Sequence, residues 1–362
     1  MKRGLLFLCI AAAFVFGWIH YNEIPLAVIG QPSSTGLLQL EKEQPFFAAL
    51  REKTGIPFRV SYKPLEAVGF KDTHQLQMLK DGTFDLVSLR FTQNGDAEPS
   101  LQGIDLVGLN ADYEGAQKVI RAYSGTVDRY LQTHFNAKLL GIWSFGPQEF
   151  FCRKPIRRLE DIRGMKVRVA SAALSSFISD LGGTPAIIPF DDTRNALAIG
   201  LVDCAVTSAA SGNFAGWPAH ARYYFPLAVH FGLNGYAISL GKWQALSPGQ
   251  RAALQQAFDA YLADLWTYIK TIHLDASSCN TGGECRFGQP YRMVRVSPTQ
   301  HDIDLLRQIT RNKLLAEWGA RCDRIHPDCT ATWQEKLPPE ISGMSLRSDA
   351  ALTDGATRHP RP

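Results

Sequence analysis

One arginine in this chain is placed for anion chemistry. In Lys166-Val167-Arg168-Val169 polar and apolar residues alternate, so in a strand Arg168 and Lys166 share the face opposite Val167 and Val169. A guanidinium can hold a carboxylate through two parallel hydrogen bonds. Strand ends in an α/β sheet face the crevice where ligands bind. Taken alone, the alternation also fits a solvated strand-end charge. Other chemistries lack their residues. No GxSxG elbow, HExxH pair or P-loop occurs, and the nine histidines are scattered. The loop Gly30–Gly36 follows a strand but lacks GxGxxG spacing, so no dinucleotide is expected. Asp191-Asp192 falls where a helix begins, and reads as end charge rather than as an acid pair. There is no CxxC pair, and His326 beside Cys329 is a lone candidate ligand, so neither a metal nor a cofactor is expected.

The elements that would position Arg168 alternate between strand and helix. Strands are expected at 25–29, 58–62, 85–89, 166–169, 186–189 and 204–207. Helices are expected from Pro45 to Gly55, at 75–80, 173–181 and 191–199. This alternation argues for α/β sheets. Two segments repeat one device: Leu79 to Val87 and Leu197 to Ala205 each carry a helix end, a Gly, two residues, an Asp and an apolar strand. The glycine can take the left-handed conformation that ends a helix. The repetition points to two similar lobes, each a mixed sheet flanked by helices. Ser247-Pro248-Gly249-Gln250 reads as a capping box with Pro at the first helical position. Leu254, Phe258, Tyr261, Leu265 and Ile269 then recur at helical spacing, in a helix long enough to brace both lobes. A second amphipathic helix is expected at 301–318.

Length and composition agree. The 362 residues suffice for two domains, and 45% hydrophobic with 20% charged residues is ordinary for a globular chain. A net charge of +4 is too small to argue for nucleic acid. Met1-Lys2-Arg3 precedes an apolar run from Leu5 to Trp18, the pattern of a signal peptide or an uncleaved N-terminal anchor. Residues 1–22 are assigned to it. The first lobe is expected at 23–145, completed by about 226–250. The second is expected at 146–225, completed by parts of 251–345. A disordered tail is expected at 346–362. Export places the cysteines in an oxidising compartment. Setting Cys9 aside with the leader leaves six, which allow 15 pairings. Local bridges Cys279/Cys285 and Cys322/Cys329 are the economical choice, which leaves Cys152 and Cys204.

One stretch is similar to a known family. Cys152 to Ile156 and Leu159 to Val169 continue through Leu181-Gly182-Gly183-Thr184-Pro185, Ile188-Pro189-Phe190, Asn195-Ala196-Leu197 and Gly200-Leu201-Val202-Asp203. Trp243, Leu246, Ser247 and Gln250 also fit. The run resembles the solute receptors of TRAP-type (tripartite ATP-independent periplasmic) transporters, the dicarboxylate-receptor family. Roughly 150–260 matches in motif and the first lobe in layout, but the cysteine-rich C-terminal part does not. The resemblance implies a two-lobed periplasmic-binding-protein-like fold, a monomer in the periplasm, and delivery of a small carboxylate to membrane subunits. It implies no catalysis. Arg168 would clamp the ligand carboxylate, with Ser171 just after it and Phe190 packing on the ligand. Thr207 stands where many members have asparagine, and Gln148 near where some place a second arginine. Arg90, at the end of a first-lobe strand, would address a second anionic group on the ligand. Trp217 and Asn234 would line the cleft. Two other readings stay open, a periplasmic sensor or input module and an exported α/β enzyme.

Overall fold

The computed structural model describes residues 23–342; the expected leader and polar tail lie outside the described residues. Eleven strands form two mixed sheets: β1 (Ile24–Gly30), β2 (Phe58–Pro64), β3 (Leu86–Arg90), β4 (Ala137–Ser144), β5 (Gln148–Cys152), β6 (Lys166–Val169), β7 (Thr184–Ile187), β8 (Cys204–Ser208), β9 (Tyr223–His230), β10 (Leu233–Ser239) and β11 (Val294–Arg295). The first sheet has the order β2-β1-β3-β10-β4 and the second β11-β9-β5-β8-β6-β7. β1 runs parallel to β2 and β3, and β6 parallel to β7 and β8. In each lobe an antiparallel strand, β10 or β5, completes the parallel trio.

The repeated device is the same structure twice. Asp85 accepts from Ala27 N at 2.8 Å and donates its own N–H to Ala27 O at 2.9 Å. Asp203 does the same with Lys166, at 2.9 Å and 2.7 Å. Gly82 and Gly200 precede them with φ of 67° and 75°. A carboxylate thereby pins the entry of β3 to β1 and of β8 to β6, so Arg90 and Arg168 each sit near the outgoing end of a registered strand.

Alternation along the strands gives each sheet two buried faces. Leu26 and Val28 enter one core of the first lobe and Ile29 the other. Phe150 and Phe151 divide the second lobe in the same way. The Pro248–Asn280 helix joins the lobes. Its N-terminal part and middle carry Leu254, Phe258 and Leu265 into the first lobe, and Ala276 reaches the second. Its capping box is formed, with Ser247 and Gln250 exchanging hydrogen bonds. The C-terminal helices make the reverse crossing. Gln300–Ile309 packs Leu306 and Ile309 into the second lobe, and Leu315–Ile325 packs Leu315 and Trp318 into the first. A π-helical turn, Thr310–Leu314, lies between them, where a single helix was expected.

Other boundaries also move. β9 belongs to the second sheet, so the chain returns to the first lobe at Phe231-Gly232 and not near 226. β7 spans Thr184–Ile187 and not 186–189, and Pro189 is already the N-cap of the next helix, Phe190–Ala198. Pro185 is tolerated there because β7 is an edge strand. The local cysteine pairs are bridged. The remaining two, Cys152 and Cys204, face each other across β5 and β8 and form the third disulfide.

Candidate functional site

The chain passes between lobes at Phe145–Pro147 and again at Phe231-Gly232, and the two passages lie side by side, with Phe145 N donating to Gly232 O at 3.1 Å. These passages and the strand ends beside them enclose a cavity of about 50 Å³. The first lobe contributes Ser34, Thr35, Arg90, Thr92 and Gln93. The second contributes Arg168, Ala170, Leu174, Phe190, Val206, Thr207 and Ser211. Phe145, Gln148, His230, Gly232, Leu233 and Asn234 come from the passages.

Arg168 is 4% exposed. Its Nε donates to Ile188 O at 2.9 Å and its Nη1 to Val206 O at 3.1 Å. Two backbone carbonyls thus fix the guanidinium, and Nη2 has no protein partner among the described residues. Trp217 lies behind it, with the guanidinium carbon 5.6 Å from the ring centroid. Burial, and secondarily the neighbouring Arg90 charge, push the Arg168 pKa down to about 9. Such a cation gains most from an anion brought close to it.

Arg90 is set differently. Its Nη1 meets Asp72 Oδ2 at 3.1 Å, and its guanidinium lies 5.8 Å from the Phe145 ring centroid. Gln75 accepts its backbone N–H at 2.9 Å. Burial lowers its pKa, and Asp72 opposes that shift.

The passages are held by Asp105. It accepts from Phe231 N at 2.8 Å and from Leu233 N at 3.0 Å, and His230 Nδ1 lies 3.0 Å from its Oδ2. Asn234 donates to Gly232 O at 2.8 Å and Gln148 to Gly146 O at 2.9 Å. Gly232 has φ of +57°, and a Cβ there would lie 2.7 Å from Gln148 Nε2. The left-handed backbone favours glycine here, and a side chain would also push Gln148 aside.

Six of the eight expected ligand residues line this one cavity: Arg168, Arg90, Phe190, Thr207, Gln148 and Asn234. Two do not. Ser171 caps the Ala172–Asp180 helix by accepting from Leu174 N at 3.3 Å. Trp217 is fully buried and supports Phe190 from behind, at 5.2 Å between centroids. Sequence reasoning missed Ser34, Thr35, Phe145 and His230. Ser34 and Thr35 belong to the loop set aside for lacking GxGxxG spacing, and nothing local marks His230. Among the described residues one group, Asp275, Cys279 and Cys285, clusters like metal ligands. Its sulfurs are spent in a disulfide, and Asp275 accepts the Arg286 and Phe287 backbone N–H groups. No thiolate is left for a metal.

Two mixed α/β lobes joined by paired crossings, with a buried cation in the gap, define the class of two-lobed solute-binding folds. The chain belongs to the bacterial extracellular solute-binding proteins of family 7 (DctP), whose profile matches residues 31–277. Among curated relatives, the C4-dicarboxylate-binding periplasmic protein DctP of Rhodobacter capsulatus is 25% identical over 195 residues, 52% of this chain and 57% of that protein. The sialic acid-binding periplasmic protein SiaP of Vibrio cholerae is 25% identical over 185 residues, 50% of this chain and 57% of that protein. The chain thus spans little more than half the length of these relatives. In structure it is similar to DctP6, a Bordetella pertussis extracytoplasmic solute receptor binding pyroglutamic acid. That match has a TM-score of 0.73 and 15% identity, over 86% of this chain and 100% of that one.

Proposed function

We propose that this protein is an extracytoplasmic receptor that binds a small organic acid between its lobes and delivers it to a TRAP-type secondary transporter. One observation carries the reading. Arg168 is buried at the gap between the lobes, tethered by backbone carbonyls, with one edge of its guanidinium free of protein partners. Burying a ligand carboxylate demands a paired cation, and this one is already oriented. Phe190 offers an apolar wall, while Thr207, Gln148 and Asn234 offer hydrogen bonds. Ligand bridging both lobes would draw them together by hinge motion at the two passages. The protein acts as a carrier in the periplasm, exported by its N-terminal segment, and not as an enzyme. Its partners are the ligand and the transporter's membrane subunits.

Cavity size narrows the ligand. By the measure in which one water needs roughly 10–15 Å³, about 50 Å³ suits an acid of a few heavy atoms better than a nine-carbon sugar acid. A thermal-shift screen tests this with pyroglutamate, C4 dicarboxylates, short monocarboxylates and sialic acid. A native-state ligand at 100 times its Kd adds about 2.7 kcal/mol, so a true ligand raises Tm by several degrees. Small acids are expected to do so and sialic acid is not. A screen in which no acid shifts Tm would refute the reading.

A further inference from the structure

The cations around the cavity are not equivalent. Arg90, on the first-lobe side, is backed by a carboxylate, with Asp72 Oδ2 3.1 Å from its Nη1. Asp72 itself does not line the cavity. Arg168, on the opposite side, forms no ion pair among the described residues, and its tethers are neutral carbonyls. The cavity wall itself includes no Asp or Glu. Arg168 therefore presents a cation with no carboxylate in contact, and Arg90 presents one that is already paired with Asp72 from behind.

We propose, on the basis of the receptor reading above, that the ligand is a monocarboxylate with a neutral acceptor at its far end, and that Asp72 sets this preference. The carboxylate would meet Arg168. A carbonyl-type oxygen would accept from Arg90, whose charge Asp72 has taken up. A second carboxylate at that end would meet Arg90 against the repulsion of Asp72, and would have to leave water to do so. The second anion that Arg90 suggests in the sequence is thus replaced by an uncharged group.

Diacids and their half-amides test this, because each pair differs in the charge of one end at nearly constant shape. Calorimetry on the purified protein compares succinate with succinamate and glutarate with glutaramate. The half-amides are expected to bind at least tenfold more tightly. Asp72→Asn is expected to cut that ratio at least tenfold by freeing the Arg90 charge, and Asp72→Glu to keep it. Arg90→Gln supplies a second route should Asp72→Asn fold poorly. It is expected to weaken both members of a pair by similar factors, whereas an anion-seeking Arg90 would cost the diacids far more. Wild-type preference for the diacids, or a ratio unmoved by Asp72→Asn, would overturn the proposal. If diacids are preferred and Arg168→Met abolishes their binding, the proposal fails and the receptor reading stands. If no acid binds at all, both fail.

Discussion

Replacing Arg168 with methionine should separate binding from stability. The change removes the charge and keeps an unbranched stem. Holding this group charged inside the ligand-free fold is expensive: burial brings its pKa down from the ordinary arginine range to about 9. At 1.36 kcal/mol per unit that shift corresponds to about 5 kcal/mol. Against it stand the bonds to Ile188 O and Val206 O. Leaving two buried carbonyls unsatisfied costs about 1–3 kcal/mol each. The terms nearly cancel, so ligand-free Arg168→Met should unfold in urea within about 2 kcal/mol of wild type, on either side. Acid binding should weaken by about 2–5 kcal/mol, the usual loss when one member of a buried charge pair is truncated. Urea titration reads the first quantity and calorimetry the second. A variant that loses more than about 3 kcal/mol of stability yet keeps its affinity would show that Arg168 is a structural cation, and would refute the reasoning.

Three further outcomes follow from the packing. Burial lifts Glu149 from 4.5 to about 8 and lowers His273 from 6.5 to about 4, and the two lie 3.9 Å apart. A raised acid loses stability as pH climbs from its unfolded to its folded pKa, whereas a lowered base gains it between its folded and unfolded values. The two oppose each other up to about pH 6.5, and between 6.5 and 8 only the Glu149 loss remains, about 2 kcal/mol at 1.36 kcal/mol per unit. Glu149→Gln should flatten that decline in urea titrations at several pH values. Gly232→Ala places a side chain at φ of +57° and against Gln148; it should destabilise by about 1–2 kcal/mol and weaken acid binding, both measurable on one preparation. Serine at both Cys152 and Cys204 opens a link across 52 residues and should lower stability under oxidising conditions by about 4 kcal/mol, with no effect when wild type is compared after reduction.

What the sequence discloses is local. The capping box at Ser247, the helix ends at Gly55, Gly82 and Gly200, and the strands leading to Arg90 and Arg168 depend on residues a few positions apart, and each lies within a residue or two of its expected place. The paired Gly-x-x-Asp devices even disclosed the pseudo-symmetry of the lobes. Long-range partnerships were hidden. β9 and β10 are consecutive, yet they complete different sheets, and nothing in an apolar run states which sheet receives it. The 23-residue helix Tyr113–Phe135 went unseen although Ala116, Val119, Tyr123, Val127, Tyr130 and Leu131 recur at helical spacing along its buried face. A third of the cavity lining was legible, with resemblance pointing to Arg168, Phe190 and Thr207. Asp72 and His230 were not, since their importance arises only when distant segments meet at Arg90 and Asp105. Ser171 and Trp217 lie beside the expected site, the first spent on a helix cap and the second on packing against Phe190.

The most direct test is a crystal structure of the protein with the tightest-binding acid from the thermal-shift screen. The carboxylate is expected between the lobes, within hydrogen-bonding distance of Arg168 Nη2, with Phe190 against the ligand body. Ligand bound elsewhere, or a carboxylate in this cavity that turns away from Arg168, would contradict it.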